Sequence, residues 1–332
     1  MSAYFLAKIH AKLSRMLKES DIEALVDVDI DSTIRQLQES SYGPFLSGRE
    51  MLDRASDQLR HGFIADVSSL VYALNGQDRI LLLDVLSYYR VENLKTILRV
   101  QLHRLPAEDA KNLLFVLPWD HVEFARWLEV PGIEALIKEL PWDDYRTRLE
   151  AVHRQVGGKD TVFPYESELD AMYLQRLIHH SQQGKLDVKR ILKNRVLKEL
   201  LLWAYRMKGY GYTFPELVNI LPDYRPLVPH DEMSHLIGDA EGWHGIARFF
   251  DPVLAQYLEK LDHLDLRVLG ALFDRQLLQA VEQALIAAPL GNGDRRRLCL
   301  SERAGAIAGD RTRRTHPRQT IRGINVYHRE NA

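Results

Sequence analysis

Residues 80–99, ILLLDVLSYYRVENLKTILR, decide the fold. Leu83, Leu86, Leu94 and Ile97/Leu98 fall near one face of a helix while Glu92, Lys95 and Arg99 point elsewhere, the three-to-four spacing of an amphipathic helix. A degenerate copy, RVLKELLLWAYR, occupies residues 195–206. Each copy leads into a polar turn, a Pro close to a Glu (Pro106 and Glu108; Pro215 and Glu216), an apolar run and a Leu-Pro pair (Leu117-Pro118; Leu221-Pro222). One helix-turn-helix unit is therefore used at least twice. Arg99 and Arg206 end the two copies 107 positions apart, and three such periods nearly fill the 332 residues. A third copy is expected to end near the C-terminus, with units near 1–120, 121–225 and 226–332.

Outward from these copies, helix starts are frequent and strand signals scarce. Ser20-Asp-Ile-Glu23 and Thr213-Phe-Pro-Glu216 have capping-box spacing, and Pro215 suits a first turn. Asp120-His-Val-Glu123 and Ser167-Glu-Leu-Asp170 are weaker relatives of it. Leu-Pro-Trp-Asp occurs at 117–120 and 140–143 and reads as a repeated helix start with Pro in the first turn. Phe5, Ile9, Leu13 and Leu17 form the stripe of an opening helix. The best strand candidate, Val26-Asp-Val-Asp-Ile30, is short. Breaks fall at Gly43-Pro44, Asn75-Gly76, Pro131-Gly132, Gly157-Gly158, Gly209-Tyr-Gly211 and across 222–229. The fold class is all-α.

Composition narrows the function. A net charge of −2 provides no positive field for nucleic acid or anionic lipid, so no nucleic-acid partner is expected. The single cysteine, Cys299, excludes an intramolecular disulfide and any multi-cysteine metal site, and fits a reducing cytosol. No run reaches the roughly 18 apolar residues that span a bilayer; Asp84 interrupts the best one. The N-terminus lacks the uninterrupted core of a signal peptide.

The chemistry-bearing patterns are weak. Gly157-Gly158-Lys159 lacks the spacing and following hydroxyl of a phosphate loop and reads as a turn. Asp27, Asp29 and Asp31 resemble the start of a calcium loop, but Ser32 stands where Gly is needed and Gln38 where a bidentate Glu is needed. Among 13 histidines, His179-His180, His230-Asp231 and the His230/His235 pair come closest to a metal set. With Asp262 they outline a His-Asp type metal phosphohydrolase, the enzyme reading; a loop around His230 holds ligand geometry poorly. No Gly-x-Ser-x-Gly elbow is present. Tyr88-Tyr89, Trp119, Trp127, Trp142 and Trp203 sit at helical spacing and read as core. Tyr210 and Tyr212, beside glycines, read as core or as an interface. The expectation is a non-enzyme with no catalytic residue, metal or cofactor.

On these residues the chain resembles a known family, the d subunit of rotary V-type ATPases, termed the C subunit in bacterial and archaeal V/A-type ATP synthases. The resemblance runs from the N-terminus to about Gly293. It includes Tyr4, Ala7, Leu13 and Leu17 of the opening helix and the Ser40-Ser-Tyr-Gly43 turn. The clearest match is Val91-Glu-Asn-Leu-Lys-Thr-Ile-Leu-Arg99, similar to the family's Asp-Ile-x-Asn-Leu-x-Thr-x-Leu-Arg. Glu168-Leu-Asp170 with Tyr173, and Pro289-Leu-Gly-Asn-Gly293, resemble later signatures. The second copy departs, carrying Glu199-Leu-Leu-Leu where the family tends to have an Asn.

The resemblance implies a funnel-shaped protein of three pseudo-repeated helical units on the cytoplasmic face of the membrane, peripheral to it. Its implied partners are the proteolipid subunits of the membrane rotor ring and the central-stalk subunits of the soluble ATPase sector. Nucleotide chemistry and ion transfer would belong to other subunits. The last stretch departs further: residues 291–332 hold ten Arg against four acids, and apolar periodicity collapses. A basic tail for acidic partners or a disordered tail are two readings; a damaged reading frame after 293, masking an apolar helix, is favoured. Leu300-Ser-Glu302 and 317–322 resemble surviving family fragments. A tetratricopeptide-like scaffold is the alternative, although its period of roughly 34–47 residues is far shorter.

Overall fold

The computed structural model describes residues 8–9, 11–12, 14, 21, 24–25, 28–46, 52–157, 161–183, 186–239, 242–260, 263 and 265–287. Among them the architecture is all-α, with no strand. The helices are α1 (Ile30–Glu39), α2 (Leu52–Val71), α3 (Gly76–Gln101), α4 (Ala107–Leu113), α5 (Ile133–Glu139) and α6 (Asp143–Val156). They continue as α7 (Phe163–Gln182), α8 (Leu186–Gly209), α9 (Phe214–Val218), α10 (His230–Gly238), α11 (Pro252–Glu259) and α12 (Leu266–Ala287). Short 3-10 segments occupy Gly43–Phe45, Phe124–Leu128 and Gly242–Phe249. The chain divides into one unit of residues 1–6 and 45–283 and another of 7–44 and 284–332.

In the smaller unit, the described part of the short strand candidate, residues 28–30, is a helix start, in keeping with the all-α reading. Asp29 accepts from the Ser32 amide at 2.9 Å and N-caps α1, satisfying a free N–H as a cap must. Asp29 and Ile30 are thus a cap and the first residue of a helix. Ser20, Glu23, Phe5, Leu13 and Leu17 lie outside the described residues.

In the larger unit the two sequence copies are α3 and α8, each longer than its quoted stretch. The breaks at Asn75-Gly76, Pro131-Gly132, Gly157, Gly209-Tyr-Gly211 and 222–229 all fall at helix ends. Gly157 closes α6 in the left-handed conformation, φ 62°, that glycine adopts without a Cβ clash. Thr213 and Glu216 form the reciprocal capping box of α9, with Pro in its first turn. The order of elements recurs: a long helix (α3; α8), a short helix starting 107 positions later in the second case (α4; α9), further short helices, and another long helix (α7; α12).

Several local expectations are corrected. α3 does not bury one narrow stripe: Leu86, Ser87, Val91, Asn93, Leu94, Thr96, Ile97 and Leu98 are all buried, because neighbours cover it on several sides. Lys95 accordingly reaches into an interface, while Arg99 pairs across it and stays 42% exposed. Asp120 caps no helix; it turns inward as the ion partner of Arg90, and the 3-10 segment starts only at Phe124. Ser167 lies inside α7, which begins at Phe163. The two Leu-Pro-Trp-Asp copies also differ. The first closes a tight turn, Asp120 N–H donating to Leu117 C=O, while in the second Trp142 itself precedes the first residue of α6, so Pro141 stands outside the helix.

Apolar side chains gather into two cores. One runs from Ile64 through α3, α6 and α7 to Val196, with Trp127, Tyr145 and Tyr165 almost wholly enclosed. The other runs from Leu197 to Phe273.

Candidate functional site: charged seams between long helices

α3 and α7 pack side by side and antiparallel, and three polar rungs cross between them, two of them Lys or Arg ion pairs. Asp84 meets His180 at 2.7 Å, Lys95 meets Asp170 at 2.6 Å and Arg99 meets Glu166 at 2.6 Å. The four-residue step from Lys95 to Arg99 is answered by an equal step back from Asp170 to Glu166, and the 11-residue step from Asp84 to Lys95 by one of 10 from His180 to Asp170. Lys95/Arg99 and Glu166/Asp170 both use the four-residue spacing that keeps side chains on one face. Lys95 also holds Glu92 at 3.1 Å. Burial works against its charge, but Asp170 and Glu92 outweigh that and raise the ammonium above the ordinary lysine range.

Beside the rungs lies a tyrosine cluster. The Tyr88 and Tyr173 rings are 5.8 Å apart, and the Arg195 guanidinium of α8 stands 5.9 Å from the Tyr88 ring while pairing with Glu199 at 3.1 Å. Burial, with Glu92 and Glu199 nearby, pushes the Tyr88 hydroxyl up to about 12; burial raises Tyr173 in the same direction. On another side of α7, Arg176 pairs with Asp144 and donates to the Tyr145 hydroxyl at 2.7 Å, and Arg148 pairs with Glu168. Arg90, paired with Asp120, lies 4.3 Å from the Trp142 ring. α7 is thereby braced from α3, α6 and α8.

A comparable polar seam joins α8 to α12. Lys198 donates to both Asp274 oxygens, at 2.6 and 2.7 Å; Gln276 donates to Asn194 at 3.1 Å and Arg190 to Gln283 at 2.8 Å. Here too a lysine of the long helix meets an aspartate of its antiparallel neighbour.

The residues that suggested metal chemistry do not converge. His180 is a rung, while its neighbour His179 faces Gln183 at 2.9 Å. His230 opens α10, its Nδ1 2.8 Å from the Tyr224 hydroxyl, with Asp231 exposed beside it. His235 pairs with Asp239 within its own helix end. Asp29 spends its carboxylate on Ser32, and Asp31 lies on the first turn of α1. Asp27, Gly158, Lys159, Asp262 and Cys299 lie outside the described residues. No group of three or more His, Cys, Asp or Glu able to hold a metal occurs among the described residues. Tyr210 is exposed, and Tyr212 is half-buried against Phe163, ring centres 6.0 Å apart. A hollow of about 540 Å³ is lined by Leu221, Pro222, Tyr224, Arg225 and His230, with Arg225 already neutralised by Asp223.

Sequence reasoning misses the seams, since periodicity alone assigns Lys95 and Arg99 away from the packed face. The matching four-residue spacing of opposite charges on two helices is the available signal. What the residues define is a braced helical protein whose polar groups serve helix-to-helix contact. No helix among the described residues is long and apolar enough to cross a membrane.

The chain matches the ATP synthase (C/AC39) subunit family over residues 5–291 and belongs to that family. It is 22% identical over 263 residues to a protein of Methanosarcina barkeri named as the C subunit of an A-type ATP synthase, covering 74% of this chain and 71% of the relative. A protein of the same name from Methanosarcina mazei is 20% identical over 270 residues, 75% and 73% of the two chains. Another from Archaeoglobus fulgidus is 23% identical over 183 residues, 53% and 51%. These relatives are named as subunits of a larger complex.

Proposed function

We propose that this chain is the non-catalytic central-stalk subunit of a V/A-type rotary ATPase, coupling the membrane rotor ring to the stalk of the soluble ATPase sector. The observation that carries the reading is the family match spanning residues 5–291. The cross-braced helices support it, because a part that passes on torque must keep its helices in register under load. In this reading the chain sits peripherally on the cytoplasmic face, and its own part in ion transport or ATP synthesis is mechanical. Its partners are the ring proteolipids and central-stalk subunits. The element order occurs twice among the described residues, which supports a pseudo-repeat; in this reading there are three such units arranged as a funnel, the third including the basic segment 294–332 or the apolar helix of a restored frame. Interface charges would set fit and register more than affinity.

Affinity purification of the tagged chain from solubilised membranes, followed by mass spectrometry, tests the proposal. Recovery of ring proteolipids together with stalk subunits is expected. Recovery of neither, from a version carrying an intact C-terminal helix, overturns it.

A further inference from the structure

We draw no further inference here: the strongest candidate, the surface patch of exposed apolar side chains made by Phe63 on α2 with Leu113 and Val116 about the end of α4, beside the Tyr89–Phe115 ring pair, carries nothing because nothing in the structure shows what covers it.

Discussion

Replacing Asn93 with Leu is the sharpest probe of how α3 holds the segment that follows it. The Asn93 side chain is completely buried, donates to the Phe115 carbonyl at 2.8 Å and accepts from the Phe115 amide at 2.8 Å. One side chain thus satisfies both backbone groups of a buried residue just beyond α4. Leu keeps the number and branching of the side-chain heavy atoms and is the larger residue, so no cavity opens and the cost falls chiefly on the polar groups. Each buried group left without a partner costs about 1–3 kcal/mol, and two such groups sum to about 2–5 kcal/mol after partial relaxation. The second copy carries Leu200 at the matching position 107 residues on, fully buried, which shows that the helix itself accepts Leu there. Urea unfolding should show a lower midpoint at unchanged slope, and hydrogen exchange at the Phe115 amide should lose its protection. A loss below about 1 kcal/mol with that amide still protected would refute the reasoning, since the segment would then be held by apolar packing alone.

The Lys95–Asp170 rung should behave asymmetrically. Lys95→Met leaves an aspartate that water can reach and costs about 1 kcal/mol, whereas Asp170→Leu strands a buried ammonium beside Glu92 and costs about 1–3 kcal/mol, with the double change close to the parent. Strictly additive losses in a double-mutant cycle by urea unfolding would show that the pair is not coupled. Alkaline titration followed by tyrosinate absorbance should show Tyr88 ionising near 12, well after the exposed tyrosines. Its raised folded value means that it contributes stability present in full below pH 10 and lost as pH rises through 12. Burial raises Tyr205 and Tyr173 as well, so Tyr88→Phe should lower the amplitude of the late ionisation by one tyrosine, and an unchanged titration curve would contradict the placement.

The legible parts of the fold were those governed by local rules. α3 and α8 announced themselves through periodicity, Thr213-Phe-Pro-Glu216 through the reciprocity of a capping box, and the helix ends through Gly and Pro. The less legible parts were polar residues whose local pattern admitted more than one answer. Asp29 offered a strand position, a calcium-loop start or a helix connection and is a cap; Asp120 looked like a cap and became the partner of Arg90. An aspartate at a chain bend accepts whatever donor arrives. For Asp120 that donor comes from a residue 30 positions away, which no local window contains.

Sequence by itself determined the all-helical class, the long recurrence and the family, because periodicity, caps and motif residues act within a few turns of one another. Tertiary structure alone decided which charged side chains are surface and which are seam. Lys95, Arg99, Glu166 and Asp170 have the composition of a solvated face, and only the antiparallel packing of α3 on α7 brings opposite charges within 2.6 Å and covers the Lys95 ammonium.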